Sequence, residues 1–440
     1  MLNQNKQPLA MLLAALLLSA CGSDSGFNED TDFLVEDGFV QFVNMMPDSP
    51  EVLMIHGLER TSSGFPLAQA VEQRPADKYD WRIVYLDSND DEVTVAEGED
   101  QLIEADRLST FLWMGNLDKP NIQIVDATFV ASDSRPAGVS DIWFASNLTN
   151  HSMVDIYLTS LDANLSDASP LASVTSGSFT NRLSVDAGIN QRLRITTAGS
   201  SELLFDSGAL EILEKTEDFY AIVDDFGPDG ENHANVIRTV GGEGSTIQDN
   251  SQTAQVRIGN YTNRVNLTGS LGSNVYPNIS KQTRSAPQET ATGEVDFSIT
   301  EAGLVLEQST LTISPGAFQA IYTFENNATD AVSITRSVIV SDSVRLVKDR
   351  SLFKFINGSN LNIDLYVLRP GQDFDDVLPF LDDFGFGGRI DNELLTDTTE
   401  YVIRNAENTE TLSTTSKVLQ QGVNYTLVFD NENVIHLLED

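Results

Sequence analysis

Val40-Gln41-Phe42-Val43-Asn44 is an alternating apolar segment closed by asparagine, and the pattern returns three times along the chain. The later copies are Trp143-Phe144-Ala145-Ser146-Asn147, Val256-Arg257-Ile258-Gly259-Asn260 and Phe353-Lys354-Phe355-Ile356-Asn357. The spacing is roughly 100 residues, the size of one β-sandwich. Period-two alternation predicts strands with one buried and one wet face.

Other columns recur in the same order. A second strand reads Asp155-Ile156-Tyr157-Leu158 and Asp364-Leu365-Tyr366-Val367, with Val52-Leu53-Met54-Ile55 in the first copy. A middle strand reads Trp81-Arg82-Ile83-Val84-Tyr85, Leu193-Arg194-Ile195, Val295 to Ile299 and Tyr401-Val402-Ile403. A late strand recurs as Leu108 to Met114, Phe219 to Val223, Phe318 to Phe324 and Tyr425 to Phe429. Short strands separated by polar turns predict an all-β protein of tandem β-sandwiches, each long enough for its own core.

The predicted division is a signal peptide at 1–20, an acidic tether at 21–37 and repeats at 38–130, 140–240, 253–345 and 351–440. A Gly/Ser-rich linker at 241–252 is expected to behave as flexible coil, and the last junction, near Asp342 to Arg350, to be tight. Helical periodicity is rare. Leu210 to Glu217 and Asp375 to Phe384 are the segments expected to form short helical turns.

The start of the chain carries a location signal. An apolar run from Leu9 to Leu18 closes on Leu18-Ser19-Ala20-Cys21, with Lys6 ahead of it. The run is too short for a bilayer core of ~30 Å, which needs roughly 20 residues, and it fits an export signal. Cys21 is the only cysteine. Its position after small residues resembles the lipobox of bacterial lipoproteins, which implies lipidation at Cys21 and membrane attachment through that lipid. Gly22 resembles the sorting pattern for the outer membrane of a Gram-negative bacterium, facing the periplasm or the cell surface. With Cys21 acylated, no thiol is left for disulfides, redox chemistry or a cysteine nucleophile.

Charge narrows the partners. Sixty-six acidic against 26 basic residues give a net −40, and such a field repels nucleic acid and anionic headgroups.

Val40 to Val52, with Asn44, Pro47, Asp48 and Pro50, resembles the opening strand and turn of a bacterial exported repeat, the domain of unknown function 4397 family. The resemblance is best in the first repeat. It implies an immunoglobulin-like sandwich in secreted and surface lipoproteins, often in tandem, and brings no catalytic residues.

Catalytic signatures are sparse. There is no G-x-S-x-G elbow, C-x-x-C or H-E-x-x-H, and the four histidines (His56, His151, His233, His436) share no spacing. Surface or turn positions are expected for them, and no enzyme activity is expected. Calcium is the sharpest chemical candidate: Asp87, Asn89 and Asp91 have the D-x-N-x-D spacing of a calcium loop, without its glycine or its terminal glutamate. No other cofactor is expected. Trp81, Trp113 and Trp143 read as core. The loop from Phe380 to Gly388, with Phe380, Phe384 and Phe386, is the candidate exposed surface for a protein or glycan partner. The chain therefore reads as a non-enzymatic surface spacer, adhesion or ligand-presenting module, with a carbohydrate- or calcium-binding module for nutrient capture as the alternative.

Overall fold

The computed structural model describes residues 36–87, 91–128, 134–227, 233–239, 244–326, 333–343, 345–395 and 398–440. Cys21 and Asn89, together with most of the tether, lie outside this set. Residues Asp37–Asp440 form one compact unit.

The first repeat consists of β1 (Asp37–Asn44), β2 (Val52–His56), β3 (Glu59–Ser63), β4 (Leu67–Ala68), β5 (Glu72–Pro75), β6 (Lys78–Leu86), β7 (Glu92–Leu102), β8 (Arg107–Asn116) and β9 (Lys119–Thr128). One sheet runs β4-β1-β8-β9, with β5 also on β1, and the other runs β3-β2-β6-β7. All neighbours are antiparallel except β1 and β8, which run parallel with Phe42 opposite Phe111.

The same order returns three times. The opening strands Val139–Asn147, Ala254–Tyr261 and Arg350–Asn357 lie parallel to Glu217–Asp224, Phe318–Glu325 and Tyr425–Phe429. The molecule is all-β, built of tandem two-sheet sandwiches. The architecture is of the immunoglobulin type, but the strand order is its own: the first strand sits beside the penultimate one rather than beside the second.

Each sandwich has a core between its sheets. In the first, Phe42, Phe111, Trp113 and Ile83 meet; in the fourth, Phe353, Phe355, Tyr401 and Phe429. Trp113 and Trp143 are buried and Trp81 packs on the first core, as expected of core residues.

The opening strands depart from the one-wet-face expectation, because both of their faces are covered. Val43, Leu112 and Met114 of the first sandwich pack against Trp143, Ala145, Phe219 and Val223 of the second. Tyr261, Tyr322 and Phe324 of the third pack against Ile356 and Val428 of the fourth. The sandwiches are thus joined in pairs, sheet against sheet.

The asparagine column also needs correcting. Asn44, Asn260 and Asn357 are fully buried, and each accepts the backbone N–H two residues ahead while its amide reaches the carbonyl of a neighbouring strand or loop. In the second sandwich, the position facing its own core is Ser146, opposite Ile222. Asn147 points the other way and bonds across the pair interface to Met45 O (2.7 Å) and Gly115 O (3.0 Å). A one-residue slip turns a strand's side chain to the opposite face.

The linker expected to be flexible carries a strand, Ser245–Ile247, paired with Ala234–Thr239, and Gly244 N–H donates to Ala68 O of the first sandwich at 2.7 Å. Residues 241–243 lie outside the described set. Of the two predicted helical turns, Leu210 to Glu217 begins instead with the strand Leu210–Ile212, while Asp375 to Phe384 overlaps one short 3-10 turn, Phe374–Asp376, and ends in the strand Leu381–Phe384. Among the described residues, no helix is long and apolar enough to cross a membrane.

Candidate binding cavity at the junction of the four sandwiches

The turn Pro47-Asp48-Ser49-Pro50, which occurs only in the first repeat, meets the segment that leads into the fourth. Arg345 is the clasp. It is 8 % exposed, its Nε donates to Pro47 O at 3.0 Å, and Nη2 donates to Ser49 O. Nη1 faces Glu393 at 3.4 Å, and the guanidinium lies 4.8 Å from the Phe65 ring. Burial pushes the Arg345 pKa down, and Glu393 works against that shift. Lys348 N–H donates to Asp48 O at 2.9 Å, Tyr85 donates to Asp349 at 3.0 Å, and Arg350 donates to Leu86 O. The Asp48 carboxylate, in turn, accepts from Leu117 N–H at 3.0 Å.

A second junction joins the middle sandwiches. Asn250 donates to Asp206 O from its backbone and to Ser207 O from its amide (2.7 and 2.8 Å). Gln252 donates to Asp225 at 3.0 Å.

Between the two junctions lies a cavity of about 350 Å³. The first sandwich contributes Phe65, the second Asp225, Phe226 and Asn235, the third Phe318, Ser341 and the following Asp342. Arg345 and Leu352, from the approach to the fourth sandwich and from its opening strand, close it. Phe65 and Phe226 meet edge to face at 5.6 Å.

The polar walls are held from behind. Asp342 pairs with Arg257 and Lys354 in a buried cluster that also contains Asp440 and Arg284. Burial raises the Asp440 carboxyl, but Lys354, Arg284 and the Thr426 hydroxyl outweigh it and hold the group below the usual carboxylate range. Burial raises the Asp225 pKa, offset in part by hydrogen bonds from Gln252 and the backbone of Gly227 and Phe226. Asn235 makes no side-chain hydrogen bond among the described residues.

The residues singled out in the sequence fall elsewhere. Asp87 and Asp91, just beyond the paired ends of β6 and β7, hold each other: Asp87 N–H donates to Asp91 O, and Asp91 N–H donates to the Asp87 carboxylate (both 3.0 Å). No group of three or more metal-ligating side chains occurs among the described residues. Phe380 and Phe384 pack onto the core of the fourth sandwich, and Phe386 onto the third–fourth interface under the guanidinium of Arg336. The loop expected to be exposed is thus half-buried, because its aromatic rings seal two cores.

The histidine expectation is corrected at His56, which is 2 % exposed and stacked on Tyr79 at 4.6 Å. His436 is also enclosed, 2.6 Å from the Asp430 carboxylate. Strand β2 puts Val52, Met54 and His56 on the inner face, so the alternation carried the signal for His56.

Sequence reasoning missed the cavity because its walls are contributed by segments from all four repeats. The available hint was the Pro-Asp-x-Pro turn confined to one copy, which marks a contact that only one copy makes. Scanning protein-family models and searching curated proteins found no match to this chain.

Proposed function

We propose that this protein is a lipid-anchored, non-enzymatic component of the Gram-negative outer membrane that presents a ligand-binding body to the periplasm or the medium. The observation that carries this reading is the fusion of the four sandwiches around one shared cavity. A spacer is best served by sandwiches strung end to end, each touching only its sequence neighbours. Here the last sandwich returns to the first through Arg345, and two pair interfaces bury large apolar side chains. That arrangement favours ligand presentation over spacing. Its resemblance to the domain of unknown function 4397 family at Val40 to Val52 supports an exported lipoprotein, as does the Leu18-Ser19-Ala20-Cys21 sequence.

The anchor is tested by expressing the full chain in a Gram-negative host with radiolabelled palmitate. Labelling and recovery in the outer-membrane fraction are expected for the wild type, and both are lost in Cys21→Ala. An unlabelled wild-type protein contradicts the anchor.

A further inference from the structure

We infer that the cavity between the four sandwiches binds a small neutral polyhydroxylated ligand, of mono- or disaccharide size. The inference rests on the ligand-presenting reading above and gives it a ligand class. Three properties of the cavity lead there.

Its volume, about 350 Å³, falls within the roughly 300–1,000 Å³ common to small-molecule sites, which favour junctions between domains. That is room for one or two sugar rings.

The lining combines aromatic faces with planar polar side chains. Arg345 already lies over Phe65 and Arg257 over Phe318. Phe226 is half-buried, touches Phe65 only at an edge, and carries no cation among the described residues. It is the ring left to stack on the C–H face of a sugar. Asn235, on the strand beside it, offers an amide with free donors and a free acceptor.

The third property is charge balance, and it selects the class. The cavity has acids and a base in its wall: Asp342 is ion-paired with Arg257 and Lys354 and Arg345 with Glu393, while Asp225 is held by neutral donors, the Gln252 amide and the Gly227 backbone. A cationic ligand would meet Arg345, and an anionic one would meet Asp225 and Asp342. The wall carries both signs, so a ligand charge of either sign would lose water and face a like charge there, which is costly. A neutral polyol brings donors and acceptors together on adjacent carbons and matches carboxylate, amide and guanidinium groups at once.

Isothermal titration of the full chain tests this with five neutral probes (D-glucose, D-galactose, N-acetyl-D-glucosamine, maltose, cellobiose) and two charged ones, spermidine and citrate. At least one neutral sugar is expected to bind saturably, and neither charged probe. Phe226→Ala and Asn235→Ala are expected to weaken binding at least tenfold. Ser341→Trp, which fills the cavity from an exposed position, is expected to abolish it while leaving the thermal unfolding profile unchanged. The inference is overturned if none of the five sugars binds, if spermidine or citrate binds in their place, or if binding survives in all three variants. Palmitate labelling is indifferent to these outcomes, so a failed titration and a failed anchor are told apart.

Discussion

His56 is a polar ring enclosed in an apolar core, with Tyr79 stacked on it and Phe42 and Phe111 beside it. Neither ring nitrogen has a hydrogen-bond partner. Burial, and to a smaller extent the Arg74 charge, push its pKa down from 6.5 to about 4. The unfolded chain therefore takes up a proton as pH falls through 6.5, whereas the folded protein resists until about 4. Stability from this residue is complete above the unfolded value and is lost as pH falls between the two. At 1.36 kcal/mol per unit, the loss is about 3 kcal/mol. His56→Phe is predicted to be more stable than wild type by about 1–3 kcal/mol near neutrality, because two unsatisfied nitrogens are removed. Its advantage should widen toward about pH 4.5. Urea unfolding at both pH values measures it, and parallel pH profiles for the two proteins would contradict this account.

At the scale of the element, the opening and penultimate strands of each sandwich hold the assembly together. Their sequences are not cleanly alternating: Trp143-Phe144-Ala145, Phe355-Ile356 and Leu427-Val428-Phe429 run apolar on both faces. Continuous apolar runs mark strands covered on both sides, so the pair interfaces left a trace in the sequence. Strand positions, their order and the four repeats were legible there, because period-two alternation directly reports a buried face. The register of the second repeat was not, because Ser146-Asn147 places the conspicuous residue one position beyond its structural equivalent. The interface chemistry was also hidden. Where Arg257 and Lys354 join a buried ionic cluster in the second pair, Gln41 in the first pair bonds to Thr239 at 2.9 Å. Gly358 shows how tightly the second pair is packed, since a Cβ there would run into the ring of Phe324. Gly358→Val is predicted to force the third and fourth sandwiches apart at a cost of about 1–3 kcal/mol, typical of overpacking. Calorimetry should show the variant's second pair melting ahead of the first. A variant melting as the wild type does would mean that the interface yields without separating.

For the whole molecule, the candidate site belongs to no single repeat. Each of the two junctions sets one wall of the cavity, and the copy-specific Pro47-Asp48-Ser49-Pro50 turn is what lets the fourth sandwich close onto the first. No column of the repeat pattern could announce that, because repeats encode what the copies share and the cavity is made from what they do not. The central claim, that the four sandwiches form one closed body, is most directly tested by small-angle X-ray scattering of residues 37–440 in dilute solution. A compact body of about 400 residues has a radius of gyration of about 22 Å, and that value is predicted. A radius of about 40 Å or more, roughly twice the compact-body value, would describe sandwiches strung end to end and would contradict both the closed body and the cavity at its centre.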